Sequence, residues 1–298
     1  MIELNKILVG VDPLQARHDS FLPPVMEAIR QAVWLAEPTS SEITFMSALD
    51  SSESTQAAAA ALDKLVEQAK ARGVAATSKV VPGNGWMALA REAIDGHYDL
   101  VFVGTRDLGP LHRVLFGSTA KMLVHHCPTA VWVTKPEPHP TPANVLVASD
   151  FTEVSDKALR LALRIGLSRG SRVHLIHVFK SPFALLSDAD EAEARGERVL
   201  HEQDRAEARR RLDEQFARVA GDAGLTNVSI ADVTYLADDA IAKYIETHHI
   251  DLLAVGSSAR HGVEGVIPGN TAERLLTTVN CSLLVVKPDD FVCPVPLL

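Results

Sequence analysis

The hexapeptide ILVGVD, Ile7 to Asp12, returns as VLVASD, Val145 to Asp150. Each is a short apolar run ending in an aspartate, the pattern of a buried strand with a polar group at its carboxyl end. A longer pair follows the same logic. GTRDLGPLHRVLFGSTAKML, from Gly104, returns as GSSARHGVEGVIPGNTAERL, from Gly256, with Gly117 and Gly269 each thirteen residues after the first glycine. Cys127 and Cys281 then precede TAVWVTKP and SLLVVKP. The chain reads as one domain written twice, and a repeat on this scale decides the architecture before any single element does.

Apolar runs alternate with helical segments in both copies. In the first, the strand candidates are ILVGV, EITFMSAL, TSKVV, LVFVG and AVWVT; in the second, VLVAS, RVHLIHV, VSIADVTYL, LLAVG and LLVVK. Strands that are apolar throughout and alternate with helices predict α/β domains, each a doubly wound five-stranded parallel sheet with right-handed crossovers. We place the first domain at residues 1–137, the second at 143–290 and a tail at 291–298. Between the domains, the prolines of KPEPHPTPAN predict an extended, semi-rigid spacer. The tail, with two prolines and apolar residues, is expected to cross a domain or partner surface.

The copies lie 138 residues apart at Asp12 and Asp150 but 152 apart at Gly104 and Gly256, so the second carries an insertion. Its expected place is DADEAEARGERVLHEQDRAEARRRLDEQFARVA, where Leu212, Phe216 and Val219 keep helical spacing amid charge. That predicts a long solvated helix.

With 298 residues, a formal net charge of −9 and a pI near 5.7, the chain has no basic excess to offer nucleic acid or an anionic membrane. No apolar run reaches the roughly 18 to 20 residues that cross a bilayer, and MIELNKILVGVD does not read as a secretion signal. The expectation is a cytoplasmic protein. Cys127, Cys281 and Cys293 are an odd set without a CxxC pair and read as reduced structural thiols.

The strand-end aspartates and the glycine-spaced loop resemble the universal stress protein family in its tandem-domain form. The final stretch, GNTAERLLTTVNCSLLVVKPDDFVCPV, is especially similar to the E-type members. The resemblance covers all but the inserted helix and the linker. It implies a pseudo-two-fold pair of Rossmann-like domains, the last strand of each pairing across to the other, and association into a dimer. It also implies an adenine nucleotide such as ATP as the small-molecule partner, held in some members by a G-x2-G-x9-G-[ST] loop.

Position by position, Gly104, Gly117 and Ser118 match that loop in the first copy, with Arg106 and Thr119 beside them. Gly256 and Gly269 match in the second, with Ser257, Asn270 and Thr271 beside them. Asp107 and Ala259 stand where the middle glycine belongs. An alanine forced to positive φ costs roughly 1–2 kcal/mol. A carboxylate about 4 Å from a phosphate is repelled by roughly 4 kcal/mol at a protein surface. Asp107 closes the first site if it faces the pocket; if Gly109 lets it turn outward, Arg106 reaches the phosphate instead. Ser118 reads as the N-cap of its helix, whereas Asn270 with Glu273 reads as a self-satisfying capping box. Asp12 and Asp150 occupy the family position on the adenine and ribose side, and an equal reading makes them caps of the turns that follow.

His174 and His177, three apart on a strand, point to opposite faces and do not form a metal site. His125, His126 and Cys127 diverge on a helix end, and no metal is expected. Trp34, Trp86 and Trp132 read as core or interface rather than as base-stacking platforms. No GxSxG, HExxH or P-loop lysine specifies a reaction. Three functions stay open: stress-responsive nucleotide binding, binding of a different small molecule, and weak ATP hydrolysis.

Overall fold

A computed structural model describes residues 3–12, 21, 23–49, 55–105, 117–135, 142–180, 191–220, 227–233, 237–257 and 270–293. The first half runs β1 (Lys6–Gly10), α1 (Pro23–Thr39), β2 (Glu42–Leu49), α2 (Thr55–Ala71), β3 (Ala76–Pro82), α3 (Gly85–Asp95), β4 (Leu100–Gly104), α4 (Ser118–His126) and β5 (Ala130–Thr134). The second repeats it as β6 (Asn144–Ser149), α5 (Glu153–Arg169), β7 (Arg172–Lys180), α6 (Glu191–Ala220), β8 (Asn227–Val233), α7 (Ala237–His248), β9 (Leu252–Gly256), α8 (Asn270–Thr278) and β10 (Ser282–Val286).

All ten strands form one sheet in the order β3-β2-β1-β4-β5-β10-β9-β6-β7-β8. Pairing is parallel within each half and antiparallel at the seam, where Leu283, Leu284 and Val285 face Val133, Trp132 and Val131. Every residue of β5 and β10 is buried, as expected of strands at the centre of a sheet covered on both faces. Trp132 stacks on Phe102 with ring centroids 4.8 Å apart. Helices α1, α2, α5 and α6 cover one face and α3, α4, α7 and α8 the other.

Local chemistry explains the elements. An alanine run, Ala57 to Ala61, gives α2 high intrinsic helicity, and Leu62, Leu65 and Ala69 give it a buried stripe. Helix α5 starts where Thr152 accepts a hydrogen bond from the Ser155 backbone N–H and stops at Gly170, whose φ of 71° is left-handed. Across the two halves, Arg169 reaches from α5 to α1, donating to Glu37 at 2.7 Å and lying over the Trp34 ring at 5.1 Å. Burial pushes the Glu37 carboxyl up, but bonds and charges from Arg169 and Arg72 hold it below its ordinary value.

Helix α6 has 30 residues against 17 in α2, which accounts for most of the offset between the copies. It is not simply solvated. Ala208, Leu212 and Gln215 are buried, with Phe216 and Val219 packed beside them. The opposite side keeps exposed pairs, Arg209–Asp213 at 3.0 Å and Arg210–Glu207 at 2.6 Å, one turn apart and screened by solvent. Of the tail, Phe291 is buried and Val292 exposed, while residues 294–298 and linker residues 136–141 lie outside the described residues.

Strand order reverses between β1 and β4 in the first half and between β6 and β9 in the second. In open parallel sheets, the crevice beyond the strand ends at such a reversal is where ligands bind.

Candidate functional site

A cavity of about 170 Å³ opens at the first reversal, and Asp12, Gly104, Thr105, Gly117, Ser118 and Thr119 share its wall. Gly104 is there for packing. A Cβ on it would lie 2.6 Å from the Pro24 carbonyl carbon and 2.8 Å from the Val25 nitrogen, so only glycine lets β4 touch the start of α1. Thr134 Oγ1 donates to the Pro24 carbonyl at 2.8 Å and fixes that contact.

Two helix starts converge on this cavity. Ser118 is not the N-cap of α4; Gly117 is, with φ −58° and ψ 146°, and no side chain caps the helix. Ser118 already has helical geometry, so the capping role falls one residue earlier, on a residue without a side chain. Helix α3 begins at Gly85, also in the cavity wall, and its N-cap Asn84 makes no side-chain cap bond. First-turn N–H groups that no side chain satisfies, at the positive end of a helix dipole, favour an anion.

Thr105 adds a third feature. Its N–H donates to the Thr134 carbonyl at 2.9 Å, but its Oγ1 is buried with no hydrogen-bond partner among the described residues. Such a hydroxyl costs about 1–3 kcal/mol unless something meets it. Arg106, Asp107 and Gly109 lie outside the described residues.

The second half uses the same positions differently. Asp150 Oδ1 accepts from the Thr152 N–H at 3.1 Å and from its hydroxyl at 2.5 Å, so this carboxylate closes its own turn. Phe151 then takes φ 65°, and its ring lies between Arg211, 4.0 Å away, and His177, 4.1 Å away. Ser149 Oγ donates to Gln215 Oε1 at 2.6 Å, while Gln215 Nε2 donates to Asp156 at 2.6 Å and to Ser155 at 3.1 Å. Ser257 Oγ accepts from Lys287 Nζ at 2.9 Å. A Cβ on Gly256 would meet Val154 Cγ1 at 3.0 Å and the Ser155 nitrogen at 3.2 Å, a looser contact than at Gly104. Asn270 and Thr271 form the first turn of α8; Gly269 and Ala259 lie outside the described residues.

The sequence pattern of the universal stress protein family matches residues 3–135 and again residues 143–287. The chain belongs to that family. It is similar to universal stress protein E of Salmonella typhi, 27% identical over 251 residues that span 78% of this chain and 75% of the relative. Against universal stress protein E of Escherichia coli K12 it is 26% identical over 242 residues, 76% and 72% of the two chains. In structure it resembles a functionally unknown protein of Pseudomonas aeruginosa PAO1 (TM-score 0.74, 20% identity, 96% and 94% of the chains covered). A universal stress protein of Archaeoglobus fulgidus is similar too (TM-score 0.67, 19%, 96% and 99%).

Elsewhere in this universal stress protein, His174 Nδ1 meets the Tyr244 hydroxyl at 3.1 Å under α7, while His177 faces α5 and α6, so the two do separate. No group of three or more His, Cys, Asp or Glu residues suited to a metal occurs among the described residues, and none of the described helices is long and apolar enough to cross a membrane. Cys127 and Cys281 are buried thiols pushed up to about 12 by burial, poor nucleophiles at neutral pH. Sequence reasoning missed Thr105 and Lys287. The repeated Lys-Pro after each final strand, Lys135–Pro136 and Lys287–Pro288, was the available signal.

Proposed function

We propose that the first cleft of this universal stress protein is an adenine-nucleotide site and that the protein acts by ligand-dependent binding rather than by turnover. The observation that carries this is the convergence of two side-chain-uncapped helix starts on a cavity at the strand reversal whose wall includes Thr105, a residue with a buried hydroxyl unpartnered among the described residues. A phosphate at the start of α4 accepts from the first-turn N–H groups and from the Ser118 and Thr119 hydroxyls. Thr105 donates its proton to the same anion, which removes the penalty of an unmet hydroxyl. Asp12, at the end of β1, accepts from a ribose hydroxyl. The chemistry is that of holding an anion and a sugar; no nucleophile with an adjacent base lies in the described wall of the cavity.

Calorimetry with ATP, ADP and AMP tests this: saturable heat is expected, together with a raised melting temperature and amide shifts at Ser118 and Thr119. No heat at millimolar nucleotide would overturn it. The cavity volume favours one second reading, a smaller anionic molecule, since ligand pockets usually enclose roughly 300–1,000 Å³. Native mass spectrometry of the purified protein separates the two by the mass that is retained. Phosphate release from ATP above a buffer blank would instead support weak hydrolysis.

A further inference from the structure

In each half a lysine follows directly on the last strand, Lys135 or Lys287, and both are buried, at 4% and 2% exposure. Antiparallel pairing at the seam brings Lys135 to the end of the last helix of the other half, while Lys287 meets Ser257 of its own half. Lys135 donates to the Leu276 carbonyl at 3.2 Å and to that of Val279, at the negative end of α8. The cation is therefore met by carbonyl dipoles.

Lys287 has a different setting. Its Nζ donates to Ser257 Oγ and lies 4.9 Å from the centroid of the Phe291 ring. The ionisable neighbours on α4 are the neutral thiol of Cys127 and the imidazole of His126. Among the described residues, no carboxylate pairs with it. Buried ammonium groups are ordinarily paired, because taking the charge out of water costs several kcal/mol. Burial accordingly lowers the Lys287 pKa to about 8. Its hydrogen-bond partner is also informative: Ser257 is the counterpart of Thr105, a residue of the first cavity wall.

We infer that Lys287, with Ser257 beside it, is an anion-holding residue of the second cleft and that the anion is a phosphate group. The ligand class rests on the nucleotide reading of the first cleft, but the atoms are separate. Lys287 donates to a phosphate oxygen through one of its remaining protons, and Ser257 accepts from Lys287 while donating its own hydroxyl proton to the anion. The phosphate supplies the negative charge that the protein withholds. The second copy thus has a cation to set against the loss of the middle glycine at Ala259.

The test is side-chain NMR on the full chain labelled in lysine, with Lys287→Met used to assign the signal and inorganic phosphate and AMP as probes. Without phosphate, the Lys287 signal titrates near pH 8; saturating phosphate or AMP moves that midpoint upward, while the Lys135 signal stays fixed. By calorimetry, Lys287→Met weakens phosphate binding by at least about tenfold, and Lys287→Arg retains it. In phosphate-free buffer, Lys287→Met melts no lower than the wild type, because an apolar side chain of similar size removes an unpaired buried charge. A Lys287 midpoint that phosphate and AMP at tens of millimolar leave unchanged overturns the inference. The first cleft is read separately, at the amides of Ser118 and Thr119: AMP that moves these but not Lys287 sinks only the second site, and the converse sinks only the first.

Discussion

The two clefts begin from one sequence pattern and reach opposite conditions. In the first half, Thr105 Oγ1 has no hydrogen-bond partner among the described residues, and neither α3 nor α4 has a side-chain cap. In the second, the polar groups at the strand ends are tied into internal bonds. Asp150 closes a turn, Ser149 is tied to α6 through Gln215, and Ser257 holds Lys287. Duplication kept the backbone and changed the donors: the first cleft offers helix starts and the Thr105 hydroxyl, while the second offers the Lys287–Ser257 pair amid more internal bonds. Matching glycines therefore do not imply matching sites, since the decisive groups lie on neighbouring residues.

The largest expected difference between the halves comes from the outer glycine of each. Gly104→Ala drives a Cβ into the backbone of Pro24 and Val25, which cannot move without lifting α1 from the sheet. It should cost about 3 kcal/mol, near the top of the range for overpacking, and should abolish any ligand binding in the first cleft. Gly256→Ala meets a valine methyl at 3.0 Å and should cost about 1 kcal/mol. Urea denaturation of the two variants measures the gap, and equal losses would show that the glycines serve the same purpose in both halves.

The seam lysines come next. Lys135→Met leaves the α8 carbonyls of Leu276 and Val279 without their donor inside the protein, at a cost of about 2 kcal/mol. Lys287→Met removes a charge that no carboxylate among the described residues pairs with, so it should be neutral or stabilising. Thermal unfolding in phosphate-free buffer gives the sign of each change. A loss in both would mean that the two lysines are equivalent struts.

Much of this was legible in the sequence. EITFMSAL, LVFVG, AVWVT and LLAVG form strands over the residues read from their apolar runs, because a strand buried on both faces has a composition that no other element shares. Ser118 was misread as the cap because an N-cap is defined by backbone dihedrals, and glycine at 117 takes the extended conformation first. The docking of α6 was hidden because its core contacts among the described side chains run from Ala208 to Val219, a short apolar stretch in a charged helix of 30 residues. Lys135 and Lys287 look like surface cations in a linear chain; only the antiparallel pairing of β5 with β10 buries them.

A smaller effect is expected where α6 is tied to β6. Gln215→Leu takes one partner from the Ser149 hydroxyl, which keeps Ser155 Oγ at 3.2 Å and the Phe151 N–H at 3.0 Å, and one donor from Asp156, which Arg218 still holds at 2.8 Å, so the loss should be about 1 kcal/mol. Adding Ser149→Val, the residue at the matching position Val11, removes that hydroxyl together with the acceptor of the Phe151 N–H, so the double variant should lose less than the two single losses combined. Denaturant midpoints of the two single variants and the double form the cycle. A double variant as weak as the sum of the singles would show that the bond is incidental to the docking of α6.

The smallest effect separates the halves by pH. His174 and His177 of β7 stand where β2 has Thr44 and Ser47, so only the second half titrates there. Burial lowers the pKa of both below 6.5. For His174 the charges of His248 and Arg172 add to this, and for His177 the bond to the Ser149 carbonyl and the charge of Asp150 oppose burial while Arg211 reinforces it. The folded protein therefore binds protons less readily than the unfolded chain. Stability is fully present above pH 6.5 and falls as the pH drops through 6.5 toward the folded values, where protons drive the equilibrium toward the unfolded chain. Hydrogen exchange between pH 7 and pH 5 should show β6 to β8 losing protection before β1 to β3. His126, on α4, is lowered too, by burial and then by Lys287, but it lies at the seam and not under the edge strands. The double variant His174→Thr with His177→Ser gives the second half the residues of the first. If its edge still opens first in acid, the cause lies in α6 or α7 and not in the histidines.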